Sequence, residues 1–463
     1  MLLKLLNNQT KLSVSHVLCG LILATLLLLP VLVSAEALVL APVNVISMST
    51  GDIAEHQFLL VEDGVITRIG LWTDATAMEN TSLIDGRGGW VIPGLAEMHA
   101  HIPSKTRGEQ YTRDILTLFL ANGVTTVRGM LGEPWHLELR KLLDEQIWPG
   151  PRLITSGPSF NGNSVSSPSQ AARRVRDQAA AGYDFLKLHP GLNPGEFAAI
   201  ARTAREEGIP FAGHVSFAVG LDAALREHQA TIDHLDGYAQ AMVPAGSGMA
   251  GVAPSWFGLN LALAMDAHMA PGLARSTALA GVWSVPTQSL FETTAGNITA
   301  DELLARPGMK YLSSALRSNW RRSVENIRQN YTQAQRKAFL AARRTLIREL
   351  QHAGAGLLLG SDAPQIMNVP GFSLHQELAY MVAAGLTPLQ ALQAGTINVA
   401  RFFRHPDQGE VAAGYAADLV LLEHNPLDDI SATSGVWGVM RAGNWYGHKR
   451  LEQMLRGVEE RGI

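Results

Sequence analysis

The sequence predicts an α/β chain: a (β/α)8 TIM barrel accompanied by a small β-sandwich module that its N- and C-terminal segments build together. Three observations predict it. Short β-prone runs alternate with helical patterns from Pro93 to about residue 405, and eight such units can be counted. β-rich stretches flank them on both sides. The 463 residues exceed one ordinary domain but suit a barrel of roughly 250 residues plus a second module. A hydrophobic share of 47% supplies the core this requires, and a net charge of −4 gives nucleic acid no basic surface to bind. Because short apolar runs leave the strand count ambiguous, a doubly wound parallel sheet is the competing arrangement.

Residues 1–35 read as a secretory signal peptide. Lys4 and Lys11 form the basic start, residues 17–33 the apolar core, and Val33-Ser34-Ala35 the small-residue site. Cleavage is expected after Ala35, which makes the mature protein secreted or periplasmic. An uncleaved anchor is the alternative, although Pro30 and the Val-Ser-Ala site favour cleavage. The only cysteine, Cys19, lies in this segment, so the mature chain has neither disulfides nor thiolate chemistry. No other run is long enough to span a membrane, so no membrane association is expected once the peptide is removed.

Residues 36–92 form the N-terminal part of the β module. Ala37-Leu38-Val39-Leu40, Phe58-Leu59-Leu60-Val61 and residues 64–70 read as strands, with Glu62-Asp63-Gly64 as a hairpin turn between two of them. Residues 93–405 form the barrel. Its strands are expected before His99 and at 124–128, 152–155, 185–188, 210–213, 231–233, 282–285 and 356–360, with helices at 169–181 and 194–207. Arg321-Arg322 and Arg343-Arg344 read as solvated helix faces. Residues 406–463 return to β character and complete the module, since neither end has enough strands to be stable alone.

The ends of these strands carry a specific set of groups. His99 and His101, spaced i, i+2 on an extended strand, project to one side and can reach one cation. Lys187, His214, His234 and Asp362 follow at the ends of later units. Singly, each has a plain explanation: a hydrogen-bonded core histidine at 214, a helix N-terminal residue at 234, a turn or N-cap aspartate at 362. Six groups in phase do not. Lys187 would point into the barrel interior, where a lysine is expected to be neutral, paired or modified.

With these residues, the chain resembles the amidohydrolase superfamily of metal-dependent hydrolases, especially the imidazolonepropionase and Xaa-Pro dipeptidase-like group. The resemblance is carried by Val91-Ile92-Pro93-Gly94 through His99-Ala100-His101, residues 123–128, Gly213-His214, Asp233-His234-Leu235, Gly360-Ser361-Asp362, Glu377-Leu378, residues 384–388 and residues 414–422. It implies a centre of two divalent ions, usually Zn2+, with His99 and His101 on one and His214 and His234 on the other. A carboxylated Lys187 bridges them, and Asp362 binds the first ion and handles protons. The implied reaction is hydrolysis of a C–N amide bond in a dipeptide, N-acyl amino acid or related small molecule, with hydroxide generated at the metals as nucleophile. A mononuclear, imidazolonepropionase-like hydrolase of cyclic amides is one alternative. A non-catalytic extracytoplasmic binding protein is another, against which the proton-handling Asp362 argues.

The Gly-Gly-His segment that dipeptidase-like relatives often carry is replaced by residues 156–164, which contain no histidine. Tyr238 resembles a tyrosine that helps hold the substrate or its carbonyl oxygen, an ordinary packing role being the alternative. Arg128, at a strand end, is expected to hold a substrate carboxylate or else a neighbouring acid. Residues 246–251 match G-x-G-x-x-G but follow no strand, and read as a loop over the active-site mouth. No G-x-S-x-G motif occurs, which weighs against a serine hydrolase. The expected partner is a small amide or peptide substrate, with assembly into a homo-oligomer left open.

Overall fold

The computed structural model describes residues 37–74 and 81–463; the signal-peptide reading of residues 1–35, with Cys19 and the Ala35 site, lies outside them. Four N-terminal strands open the chain: β1 (Ala37–Ile46), β2 (Ile53–Glu62), β3 (Val65–Leu71) and β4 (Thr81–Pro93). The β2–β3 turn is the expected one. Asp63 and Gly64 adopt φ of 49° and 78°, the left-handed geometry that an Asp-Gly pair accepts at low cost.

Seven strands of the later α/β region follow: β5 (Leu95–Ala100), β6 (Val124–Gly129), β7 (Arg152–Thr155), β8 (Leu186–Leu188), β9 (Phe211–Gly213), β10 (Thr231–Asp233) and β11 (Trp283–Val285). They form two parallel sheets, β5-β6-β7 and β8-β9-β10-β11. Single bridges join these sheets, Ser156 to Phe185 and Phe160 to Leu188. The eighth strand expected at 356–360 is reduced to contacts. Ser284 bridges Leu357, Met98 N donates to Leu359 O and Ala100 bridges Ala363, but Leu359 N turns away to Ala394 O. A carbonyl from the neighbouring helix end thus takes the donor that a ladder would use.

The helices between the strands carry clear stop signals. Pro168–Ala181 is capped by Ser167 and ended by left-handed Gly182; Pro194–Glu207 has an Asn193/Glu196 capping box and ends at left-handed Gly208. No helix among the described residues is long and apolar enough to cross a membrane.

Three closing strands, β12 (Leu419–Leu422), β13 (Val436–Arg441) and β14 (Asn444–Gly447), pair with the N-terminal ones in a single seven-stranded sheet of order β14-β13-β12-β4-β1-β2-β3. Residues just before β12 also reach the far edge: Ile66 N donates to Tyr415 O and Ala417 N to Gly64 O. The sheet therefore curls back on itself around Leu40, Val43, Leu59, Ile66, Leu419 and Met440, instead of stacking as two separate layers. The chain ends in a helix, His448–Arg461, in the segment read as β from sequence. It packs Leu451 and Val458 inward, and Arg461 Nε donates to Asp114 on the helix Glu109–Ala121 at 2.9 Å.

Candidate metal centre

β5 delivers His99 and His101 to one place by alternation, and the turn after residue 360 delivers Asp362 opposite them. His101 Nε2 lies 2.7 Å and His99 Nε2 3.5 Å from Asp362 Oδ1. One ligand atom from each residue fits within 4.8 Å of the others. His234 follows β10, with its ring centroid 4.4 Å from that of His99; His214 follows β9, 4.6 Å from His234. Lys187, fully buried on β8, brings Nζ to 3.5 Å from His99 Nε2. All six expected residues are therefore brought together.

Backbone strain marks the same spot. His234, Leu235, Thr287 and Asp362 have φ of 62°, 57°, 49° and 66°, a region that non-glycine residues adopt only when their surroundings hold them there. Arg343 supplies part of that hold by donating to His234 O and Pro286 O, both at 2.7 Å. The sequence reading placed Arg343 on a solvated face. It is instead buried against the Phe291 ring, and burial pulls its pKa down to about 9. Glu97 does the same for Asp362: Ser361 N donates to it at 2.8 Å and His99 N at 3.0 Å. Burial raises the Glu97 pKa to about 8.

Three of the candidate imidazoles have a partner behind them. Asp236 Oδ2 meets His214 Nδ1 at 2.7 Å, and Thr287 Oγ1 meets His234 Nδ1 at 2.8 Å. Asp233 Oδ2 stands 3.0 Å from His99 Nδ1, although the two lack an aligned hydrogen bond, and 3.7 Å from Lys187 Nζ. Burial alone would raise the Asp233 pKa; Arg128 and Lys187 outweigh it and hold the carboxyl below its usual range. Burial and neighbouring Lys187 keep His99 neutral, and burial with His99 keeps His234 neutral. Neutral imidazoles with a carboxylate oxygen form a donor set that suits zinc and similar divalent ions. Sequence reasoning missed the roles of Glu97, Asp236, Thr287 and Arg343 altogether; the carboxylates flanking His234 in Asp233-His234-Leu235-Asp236 were the available signal.

Lys187 is the odd member chemically. Desolvation lowers its pKa to about 8. Gly213 makes room for it: a Cβ there would stand 2.8 Å from Lys187 Cδ and 2.5 Å from Leu188 O, and φ is 121°.

Two sequence-assigned residues do not reach the mouth. Arg128 is 1% exposed and spends its donors on Met98 O at 2.7 Å, Thr231 Oγ1 at 3.2 Å and Asp233 Oδ1 at 3.3 Å. It holds a neighbouring acid and is not part of the wall of the cavity beside His214. Tyr238 is fully buried in the main core, its hydroxyl 2.7 Å from Thr277 Oγ1, and it is not part of the wall of the cavity beside His214. Burial pushes its pKa to about 12.

A cavity of about 560 Å3 opens beside His214 and Asp236, walled by Phe217, Trp256 and Phe257. The Phe257 ring lies 5.2 Å from that of His234. Residues 246–251 are turns with no strand before them, and they lead into the wall segment at Ala253 and Pro254.

The amidohydrolase family model matches residues 90–446 of this chain. The chain is similar to an adenine deaminase of Lysinibacillus sphaericus (strain C3-41), 38% identical over 92 residues, and to an ochratoxinase of Aspergillus niger, 36% identical over 94. The first match covers 19% of this chain and 14% of that relative, the second 18% of each. An adenine deaminase 2 of Rhizobium etli (strain ATCC 51251 / DSM 11541 / JCM 21823 / NBRC 15573 / CFN 42) is 25% identical over 366 residues, 75% of this chain and 48% of that one. The chain thus spans half or less of these curated relatives. Among solved structures it is similar to a bottromycin amidohydrolase (TM-score 0.70, 24% identity, 92% and 91% of the two chains). It is also similar to a Xaa-Pro dipeptidase with bound methionine (TM-score 0.65, 18% identity, 89% and 100%). At these identities the structural likeness shows the fold.

Proposed function

The chain belongs to the amidohydrolase family, and from that premise we propose that it is a metal-dependent hydrolase that cleaves a C–N amide bond of a small molecule. The observation that carries this reading is the convergence of His99, His101 and Asp362 on one point, held by strained backbone. We also read the two parallel sheets and residues 356–363 as a closed (β/α)8 ring with this point at the carboxyl ends of its strands.

His99, His101 and Asp362 would hold one divalent ion; His214, His234 and a carboxylated Lys187 would hold a second. When bound, such ions polarise a carbonyl and acidify water at the site. The chain's own groups do the rest. Asp362, within hydrogen-bond reach of His101 and 3.9 Å from His234 Nδ1, accepts a proton from the attacking water and returns it to the leaving nitrogen. Asp236, Thr287 and Asp233 keep the imidazoles turned toward the centre. Burial moves the Lys187 amine toward its neutral form, the nucleophile that would add carbon dioxide and release a proton to give the carbamate, an anion the divalent ions would offset.

A one-ion centre is the second reading, favoured because His99, His101 and Asp362 are the carboxylate–imidazole set that converges among the described residues. Metal analysis of the purified chain decides the count. Two ions per chain, lost in Lys187→Ala and partly restored by short carboxylic acids, support the binuclear centre; one ion beside an unmodified lysine supports the other. Asp362→Asn is expected to cut turnover on a responsive amide by about 10²–10⁴-fold. Near-normal turnover with full metal content would remove Asp362 as the proton carrier.

A further inference from the structure

A second cavity, of about 440 Å3, adjoins the one beside His214; Pro190 and Gly191 line both. Its wall offers Ser159, Asn161, Asn163 and His189, all polar and none of them a lysine, arginine or carboxylate. The larger cavity is faced by Leu192, Phe217, Trp256 and Phe257. Neither wall includes a lysine or an arginine among the described residues, and the charged group present, Asp236, is a carboxylate already engaged with His214.

His189 lines the smaller cavity, beside the shared Pro190. It follows β8 two residues beyond Lys187, and its ring stacks on that of His214 with centroids 4.9 Å apart and planes at 28°. Its Nδ1 is buried without a hydrogen-bond partner among the described residues. With Nδ1 unclaimed by any neighbour the tautomer is not fixed from behind, so Nε2 can donate to, or accept from, a ligand in the smaller cavity.

We propose that the two cavities form one substrate site that selects an uncharged amide, with its flat apolar acyl part against Trp256 and Phe257 and its polar, neutral amine part against His189. Flat rings gain from burial against aromatic walls. A carboxylate on the amine part would lose its hydration, find no lysine or arginine on either wall and face Asp236, so a free acid is rejected where its neutral analogue is taken. This deepens the amide-hydrolase reading and corrects the expectation that Arg128 recognises a carboxylate.

The test uses three benzamides: N-(2-hydroxyethyl)benzamide, N-ethylbenzamide and N-benzoylglycine. Binding is measured by calorimetry in the full-length, metal-loaded Asp362→Asn variant, which holds ligand with little turnover, and hydrolysis is followed in the unaltered protein. The hydroxyethyl compound should bind about tenfold or more tighter than N-benzoylglycine. Adding His189→Leu should weaken the hydroxyethyl compound about fivefold while leaving N-ethylbenzamide unchanged, with metal content and melting temperature retained. If the leucine variant fails to fold, His189→Gln, which keeps a neutral hydrogen-bonding tip, should preserve the order of affinities. Equal or tighter binding of N-benzoylglycine, no binding of any benzamide, or an equal effect of His189→Leu on both neutral compounds would overturn the proposal. Should the binding pattern hold while no amide is hydrolysed, the hydrolase reading fails and the selectivity of the site stands.

Discussion

In the metal-free chain with Lys187 unmodified, Asp233→Asn removes an anion placed between two buried basic groups. In the native protein Asp233 Oδ1 accepts from Thr231 Oγ1 at 2.7 Å and from Arg128 at 3.3 Å, while Oδ2 faces His99 at 3.0 Å and Lys187 at 3.7 Å. Removing one partner of a buried ion pair costs about 3–5 kcal/mol, because the other charge is left without compensation. Here the cost should fall near about 3 kcal/mol, the low end of that range. Arg128 keeps Met98 O and Thr231 Oγ1, and Lys187, with its pKa already at about 8, relieves itself by losing a proton. A second loss is separate from the first. Asparagine can no longer act as the carboxylate behind His99, and loss of such a partner weakens metal affinity about 10–100-fold. Urea unfolding in the presence of chelator reads the first effect, and zinc competition against a colorimetric chelator at neutral pH reads the second. A variant as stable as the parent, with the same zinc affinity, would refute both the charge accounting and the assignment of His99 as a ligand.

Gly213→Ala should destabilise the fold by about 1–3 kcal/mol and lower metal content, because the added Cβ at φ 121° pushes on Leu188 O and on the Lys187 stem; denaturant unfolding and metal analysis check it. Arg128→Met should lower folding stability by about 3 kcal/mol and leave the preference between an anionic substrate and its neutral analogue unaltered; a selective loss on the anionic one would restore Arg128 as its clamp. His375 gives a pH dependence away from the metal ligands: it is buried, 3.1 Å from Thr433 Oγ1, and burial depresses its pKa from 6.5 to about 4. Below pH 6.5 the unfolded chain takes up a proton that the folded chain refuses, so stability falls as pH drops from 6.5 toward 4, by about 3 kcal/mol in all. Urea titrations between those pH values should show a shallower fall in His375→Gln, and an unchanged slope would show that His375 carries none of it.

The six ligand candidates were legible because their chemistry is tied to position along the chain. Alternation puts His99 and His101 on one side, and the βα rhythm puts Lys187, His214, His234 and Asp362 at the ends of later strands. The same rhythm could not say how far a side chain reaches. Arg128 sits at a strand end as expected, but its guanidinium is drawn under the cluster by Asp233, which lies far from it in sequence. The helix His448–Arg461 was hidden for a related reason: only Leu451 and Val458 are buried, too sparse a pattern to announce a helix until the neighbour at Glu109–Ala121 is known.

What the sequence concealed most completely is what holds the ligands. Histidine and aspartate tolerate the left-handed backbone better than most residues but still favour negative φ, so local sequence permits φ of 62° and 66° at His234 and Asp362 without dictating them. Those conformations persist because distant groups over-determine them: Arg343 grips the His234 carbonyl, and Glu97 collects Ser361 N and His99 N. Both are charged residues in positions that pattern reading assigns to a solvated face or to an unremarkable strand interior. Their burial makes sense only with the site in place. Arg343 must therefore be counted with the ligands it positions: without its two bonds to His234 O and Pro286 O, the turn that presents His234 has no reason to stay strained, and the imidazole would relax away from His99.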